Sequence, residues 1–388
     1  MIKHIITLIW NKRRKNFLLF LEIFLAFAVL FVVFTFAIQY FRNYQQPLGF
    51  ETEDIWLAYL DRETEMDSIA RLEMKLSLER SLEELPQIES VSWVGDVTPF
   101  GGSTWQSSND DNGFELSTQM SRADEDFIET MGMKIVEGRD FTADDVNGKY
   151  EVVLVSNLLR TKYFKQDPIL DSIYNLGSEG KVVGVVDHYK YHGEFEEEME
   201  VTFRLFPKGS EDLPNLAIRL KAGTPADFEE VVNKTIASYT KRNDFIIRNL
   251  ESERIESSRE HWIPLISALS ICGFLIINVA LGLFGVLWFT ISKRRAEIGL
   301  RRTLGATKTN ITNQFVGEVF MVAFFAILIG SFFAVQLPLM NVLDVADSNY
   351  YLSMAFTCLL ILSVVLLCSF LPSRQASQIH PALALHEE

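Results

Sequence analysis

Ser292-Lys-Arg-Arg-Ala-Glu-Ile-Gly-Leu-Arg-Arg-Thr-Leu-Gly-Ala-Thr307 is the stretch on which the reading of this chain turns. An uncharged apolar run, residues 263–291, ends just before it, and a second apolar run, residues 315–337, with Glu318 as its one charge, begins shortly after it. At roughly 1.5 Å per residue, each is long enough for the ~30 Å hydrocarbon layer of a bilayer. The stretch is therefore a connection between two membrane spans. Of the 17 positions from Ser292 to Lys308, six are basic (Lys293, Arg294, Arg295, Arg301, Arg302, Lys308) and one, Glu297, is acidic. Short loops rich in Lys and Arg stay in the cytoplasm, so this one is expected there.

Two more apolar runs lie further out. Residues 17–38 hold one charge, Glu22, and residues 352–371 hold none. The first is too long for a signal-peptide core, and no small-residue cleavage site follows it, so it reads as an uncleaved span. Glu22 is read as reaching for the interface or for the basic flank Lys12-Arg-Arg-Lys15, rather than facing a helix bundle. Four spans place both termini in the cytoplasm. The expected organisation is an interfacial amphipathic helix at 1–16 (Ile2, Ile5, Ile6, Ile9, Trp10), spans at 17–41, 261–291, 313–337 and 352–371, and a cytoplasmic loop at 292–312. An external domain occupies 42–260, a short external loop 338–351, and a cytoplasmic tail 372–388. The loop 338–351 carries Asp344 and Asp347 and no basic residue, as the rule requires of an outer loop.

Charge divides the same way. Between Asn43 and Glu260 there are 44 acidic and 23 basic residues, a net of −21, while the rest of the chain is net +6. An acidic hydrophilic part and cations confined to span margins exclude nucleic acid as a partner and point to membrane lipids. The three cysteines, Cys272, Cys358 and Cys368, all lie in apolar runs, so the outer domain must be held by its own core.

In that domain the patterning mixes strands with helices. Strands are expected at 51–60, 88–97, 134–136, 151–155, 182–186 and 216–220, and helices at 66–85, 122–131, 156–164 (capped by Ser156 or Asn157) and 225–240. Residues 98–113 read as a loop, with Phe100 and Trp105 as either a contact tip or part of a solvated loop. Residues 245–260 read as a charged helix running without a breaker into the second span, either a stalk that carries motion or a simple linker. Gly177-Ser-Glu-Gly-Lys181 has too short a spacing for a phosphate loop and reads as a hairpin turn. Asp187, His188, His192, Glu194 and residues 196–198 could collect a divalent cation. Without cysteine or an evident supporting shell, a flexible acidic segment is the reading taken. No catalytic or nucleotide-binding motif is found, so the chain is not expected to be an enzyme. Gly273, Gly282 and Gly285 would let helices approach closely, with Gly282-x-x-Gly285 on one face as a packing or dimer seam. Glu318 is either a satisfied interface carboxylate or a partner of the basic loop.

With these elements placed, residues 294–306 resemble the signature of FtsX-like permeases of the MacB type. In that family an Arg-rich stretch, Glu-Ile-Gly, a basic pair and Leu-Gly-Ala join the second and third spans. The ending is similar too, in Leu371-Pro-Ser-Arg374, Ala376, Ile379, Pro381, Ala384 and Leu385, departing at Gln375, Gln378 and His380. The outer block resembles the MacB-like core at Phe127-Ile-Glu-Thr-Met-Gly132, Glu137-Gly-Arg-Asp-Phe141, Val155 to Phe164, Asp167-Pro-Ile169 and Val182-Val-Gly-Val-Val-Asp187, departing at Leu170 and Asp171.

The resemblance implies a four-helix membrane domain with a mixed α/β extracytoplasmic domain inserted between helices 1 and 2. It implies a permease half of a type VII ABC transporter in a bacterial inner membrane, paired with a second permease in a homodimer or heterodimer. A cytoplasmic ABC ATPase would bind ATP and Mg, this chain holding no cofactor. Arg294, Arg295, Glu297, Ile298, Gly299, Arg301, Arg302, Gly305 and Ala306 would couple to that ATPase, whose closure would move the outer domain to export or extract a substrate. The alternative is a regulatory permease that activates an extracytoplasmic adaptor or enzyme, such as a cell-wall hydrolase, without transport. A receptor is disfavoured because the cytoplasmic part has no output domain.

Overall fold

The computed structural model describes residues 13–60, 66–109, 116–165, 168–175, 179–340, 342 and 345–378, with the backbone alone for residues 13–16 and Tyr174. Most of the expected amphipathic helix at 1–16, Asp344, Asp167, the loop centre 110–115 and the tail residues from Ile379 to Leu385 lie outside the described residues. Two units emerge, Met1–Arg42 with Trp262–Glu388, and Asn43–His261.

In chain order the helices are α1 (Arg13–Tyr44), α2 (Ser68–Glu83), α3 (Phe127–Thr130), α4 (Asn157–Leu159), α5 (Phe228–Thr240), α6 (Leu250–Lys293), α7 (Arg295–Thr303), α8 (Lys308–Ala334), α9 (Gln336–Met340) and α10 (Asp347–Ser377). The strands are β1 (Ile55–Tyr59), β2 (Ile88–Val94), β3 (Gln106–Asn109), β4 (Leu116–Ala123), β5 (Ile135–Gly138), β6 (Glu151–Ser156), β7 (Ile173–Asn175), β8 (Glu179–Val186), β9 (Val201–Leu205), β10 (Asn215–Leu220) and β11 (Ile246–Asn249).

All described strands of the outer unit join one mixed sheet, in the order β11-β1-β10-β2-β4-β9-β6-β8-β5, with β3 on β4 and β7 on β8. Only β4–β9 and β6–β8 run parallel. Side chains alternate across a strand, and both faces here are covered. Ile55, Leu57 and Ala217 enter one cluster with Phe127, Leu154 and Phe203. Their neighbours Trp56, Ala58, Leu216 and Ile218 enter another with Leu78 and Leu82 of α2 and Phe228, Val232 and Ile236 of α5. Each of these buried Leu, Ile, Val or Phe side chains contributes on the order of 2 kcal/mol.

Several expectations change here. Residues 245–249 are not the start of a helix: β11 pairs antiparallel with β1, and the helix begins at Leu250. From Leu250 that helix runs unbroken into the second span as far as Lys293, with Pro264 inside it. Arg122 and Ala123 end β4 rather than opening a helix, and the loop at 98–113 contains β3. The hairpin reading near Lys181 holds, with Asn175 opposite Glu179, although residues 176–178 lie outside the described residues.

Helix α2 is inverted relative to its apolar pattern. Asp67 caps it, accepting from the amides of Ile69 and Ala70. Ile69, Leu72 and Leu76 are exposed, while Arg71, Lys75 and Glu79 are buried beside Leu78 and Leu82. Lys75 and Glu79 are paired: Lys75 Nζ donates to the carbonyls of Ser210 and Leu213, both at 2.7 Å, and lies 4.5 Å from the Trp93 ring centroid. Lys208 Nζ bridges Glu79 and Asp126, and Trp93 Nε1 donates to Glu79. Charges so paired can be buried where lone ones could not.

Asp124 lies beside this network, fully buried, accepting from Ser92 Oγ at 2.6 Å and the Trp93 amide at 2.7 Å. Burial pushes its carboxyl up to about 7, against those two bonds and the nearby Lys208. The folded value is thus above the unfolded one of about 4. Its contribution to stability is therefore present in full below about pH 4 and lost once the pH has risen through about 7. Melting of the full chain is expected to fall between pH 5 and pH 8, and Asp124→Asn should flatten that fall by on the order of 5 °C. An unchanged slope in the variant would remove Asp124 as its cause.

In the other unit, four helices are long and apolar enough to cross a membrane: Phe17–Tyr44, Leu250–Lys293, Lys308–Met340 and Asp347–Ser377. Their core contains Ile23, Phe27, Leu283, Ala323, Ala326 and Val365. Hydroxyls in the spans bond back to their own helices, as Thr35 does to the Phe31 carbonyl at 2.8 Å and Ser353 to the Asn349 carbonyl at 2.6 Å. Asn349 Nδ2 also donates to Gln39 Oε1. Glu22 does face the bundle: a Cβ on Gly282 would lie 2.7 Å from both of its carboxylate oxygens. One and a half turns from the membrane margin, the carboxylate occupies the space that a glycine on α6 leaves open.

Candidate functional site

The basic loop 292–312 is built around α7, a helix of nine residues. Helix α6 ends at Lys293, and Thr307 caps α8 by accepting from the Asn310 amide at 3.2 Å. Between them α7 closes on Gly305, whose φ of +96° is a left-handed conformation that favours glycine.

The structure sorts the nine motif residues by direction. Arg294 points inward and is nearly buried, donating through Nη1 to both oxygens of Glu318 at 2.9 and 3.1 Å. Glu318 is thus the partner of the basic loop, and Gln314 also donates to it at 3.3 Å. Arg301 donates to Gln314 Oε1 at 2.6 Å and pairs with Glu297 at 2.6 Å. Arg302 donates to the Ser377 carbonyl at 2.6 Å, tying α7 to the end of α10. Ile298 and Gly299 are buried and Ala306 is half-buried. Arg295, Glu297 and Gly305 are exposed.

The cations are therefore largely braces of the loop itself. Charge-assisted bonds of this kind, to Glu318 and to a helix-terminal carbonyl, fix a short helix that would be marginal alone. What α7 turns outward includes two residues that the charge pattern did not single out, Leu300 and Leu304, 53% and 79% exposed. They lie four residues apart, hence on one face, with Arg295 and Thr303 exposed nearby. The signal was present in the sequence: apolar residues in a charged helix at a spacing of four.

Within the chain the glycines of the second span meet different surroundings. Gly282 is occupied by Glu22 of the same chain, whereas a Cβ on Gly273 or Gly285 would meet nothing within 4 Å. The shared seam expected for Gly282-x-x-Gly285 is not formed within the chain.

The two outer-domain candidates also resolve. Phe100 and Trp105 are half-buried rather than tips: Phe100 packs on Phe50, and Trp105 lies over the Arg122 guanidinium at 4.0 Å. The acidic segment after β8 is not loose. His188 Nδ1 lies 2.8 Å from Glu198 Oε2, the Tyr189 amide donates to Glu198 at 3.2 Å, and His261 Nε2 lies 2.9 Å from Glu196. Burial lowers the pKa of His192 and raises that of the Tyr191 hydroxyl to about 12. Among the described residues no group of three or more His, Cys, Asp or Glu is placed to hold a metal.

Comparison with known proteins finds two family matches. The MacB-like periplasmic core domain matches residues 20–235, and the FtsX-like permease C-terminal region matches residues 269–381. Macrolide export ATP-binding/permease protein MacB of Burkholderia pseudomallei (strain K96243) is 25% identical over 288 residues, covering 70% of this chain and 43% of its own length. Probable syringafactin export ATP-binding/permease protein SyfD of Pseudomonas syringae pv. syringae (strain B728a) is 24% identical over 288 residues, again 70% and 43%. The chain thus spans less than half the length of the curated relatives it matches. Among solved structures, the periplasmic region of MacB from Actinobacillus actinomycetemcomitans covers 56% of this chain at 14% identity, with 98% of its own length matched and a TM-score of 0.39. The extracellular domain of the ABC-type transporter YknZ from Gram-positive bacteria covers 50% at 12% identity, with 100% of its length matched and a TM-score of 0.35.

Proposed function

The chain belongs to the FtsX-like permeases with a MacB-like periplasmic core domain, and from that premise we propose that it is the membrane subunit of an ATP-driven transporter that moves its outer domain to export or extract a substrate. Energy enters through a cytoplasmic ABC ATPase, which holds ATP and Mg. The 388 residues contain no Gly-x-x-x-x-Gly-Lys-Ser/Thr sequence, while the relatives named above are described as ATP-binding and permease proteins in one. The reading places α7 and both termini in the cytoplasm of a bacterial inner membrane, the outer unit on the far side, and a second permease alongside.

The observation that carries the proposal is the split character of α7. Its inward face is locked to Glu318, Gln314 and Ser377, so a push on the helix passes into α8 and α10 instead of being absorbed locally. Its outward face offers Leu300 and Leu304, apolar side chains of the kind that seat in a partner's groove. In this reading Arg294, Ile298, Gly299, Arg302 and Ala306 transmit, and Leu300 and Leu304, with Arg295, dock.

The test is capture of an ABC ATPase by the tagged full chain, followed by the double variant Leu300→Asp, Leu304→Asp. Loss of the two docking leucines, together about 2 kcal/mol or more, is expected to weaken the complex at least about thirtyfold and to abolish ATPase stimulation, with melting of the permease unchanged. A wild-type chain that captures no ATPase overturns the transporter reading. Retained complex and stimulation in the variant overturn this docking face.

A further inference from the structure

Residues 187–198 run between β8 and β9 without helix or strand, yet Tyr189, Lys190, Tyr191 and Phe195 are buried. One side of this strap holds the chain where it enters the outer unit. The Lys190 amide donates to the Leu48 carbonyl at 2.9 Å, and its Nζ, in a side chain only 2% exposed, donates to the carbonyls of Asn43 at 2.7 Å and Glu194 at 2.8 Å. Asn43 Nδ2 donates to the Phe195 carbonyl at 2.8 Å, and Phe195 stacks on Tyr44.

The other side holds the first turns of α6. Arg254 donates through Nε and Nη2 to Glu194 Oε1, at 3.0 and 2.6 Å. Ser258 Oγ donates to Glu194 Oε2 at 3.2 Å, Ser257 Oγ to the His192 carbonyl at 3.4 Å, and the His261 ring stacks on Phe195. Three residues beyond His261 comes Pro264, which removes the helical bond to the Glu260 carbonyl.

We propose that the strap is a releasable clasp: it binds the start of α6 to the outer sheet, and the Glu194–Arg254 pair is its release point. The proposal rests on the function proposed above, in which the outer domain is moved. Lys190 is the fixed end, because its side chain is buried and losing its bonds would leave carbonyls unsatisfied. Glu194–Arg254 is the end that can open. Arg254 is partly exposed, and the pair borders a cavity of about 390 Å³, lined also by Gln46, Leu48 and Phe50, into which the guanidinium can turn. With the clasp closed, α6 is held as far as His261, and just beyond it the helix lacks the bond that Pro264 cannot make. With the clasp open, α6 moves without the sheet.

Hydrogen exchange on the full chain in phosphatidylethanolamine/phosphatidylglycerol nanodiscs, with no ATPase present, tests this. Glu194→Gln is expected to speed exchange at least about tenfold in residues 189–195 and 251–260 together, as loss of a charge-assisted bond would, leaving β1, β6 and β10 unchanged. The charge swap Glu194→Arg with Arg254→Glu should recover protection in both segments. Faster exchange in the strap alone, or in neither segment, overturns the clasp. If Glu194→Gln loosens the core strands as well, the swap decides: recovery supports the clasp, and no recovery overturns it. Because no ATPase is present, failure here leaves the transporter reading standing, and failure to capture an ATPase leaves the clasp standing.

Discussion

Replacing Gly49 with valine should lower the melting temperature of the outer unit by about 10 °C, corresponding to roughly 3 kcal/mol or more. Gly49 has a φ of +86°, and a Cβ there would lie 1.9 Å from the His188 carbonyl oxygen and 2.3 Å from its carbon. Both are backbone atoms of the strap, so no rotamer change relieves the collision. The neighbouring Leu48 carbonyl accepts from the Lys190 amide, so displacing the strap also breaks that bond. Gly223 provides the control: its φ of +82° is similar, but a Cβ would meet nothing within 4 Å. Gly223→Ala should cost only the backbone strain of about 1 kcal/mol. Melting of the full chain, followed by fluorescence of the buried Trp93, distinguishes the two. Equal shifts in both variants would mean that strain, not close packing, governs position 49.

Gly330→Leu should be the most damaging single change in the membrane unit, at about 2–4 kcal/mol. A Cβ at this position of α8 would come within 2.4 Å of Phe27 Cδ1 on α1. Phe27 is fully buried and stacks on Phe31 with ring planes 3° apart, so its ring has nowhere to turn. The seam between α1 and α8 must open instead. Detergent melting of the full chain should show the loss, and Phe27→Ala combined with Gly330→Leu should restore part of it, a non-additivity expected of residues in contact. Independent, additive effects would show that the two helices do not meet through these residues.

The four spans were legible because a bilayer demands long uncharged runs, and nothing distant in the chain can override that demand. Strands β1, β6, β8 and β10 were legible from runs such as Val182-Val-Gly-Val-Val186. Strand β4 was not, since Leu116-Ser-Thr-Gln-Met-Ser-Arg-Ala123 looks like a polar connection. Ser117 and Thr118 are tolerable there because they are bonded, Ser117 to Gln106 at 2.6 Å and Thr118 to Thr202 at 3.0 Å. The burial of Lys75 on α2 was not legible because its partners are carbonyls more than 130 residues away. The strap looked loose for the same reason, with Glu194 and Arg254 separated by 60 positions. In α7 the motif was visible as a cationic loop, and Glu318 was a foreseeable partner for it. That Arg302 is spent on the Ser377 carbonyl, leaving Leu300 and Leu304 outermost, is a fact of three dimensions only.

Strand β1 sets a timetable for making the protein. Its two hydrogen-bonding edges are taken by β10 and β11, the last strands to be synthesised, and by no earlier ones. A nascent chain halted before residue 249 leaves its first strand with at least one open edge, a state prone to mispairing. The domain therefore has no stable front half. Its sheet closes only as translation reaches Leu250, so completing the domain and beginning the second membrane helix are successive ticks of the same clock.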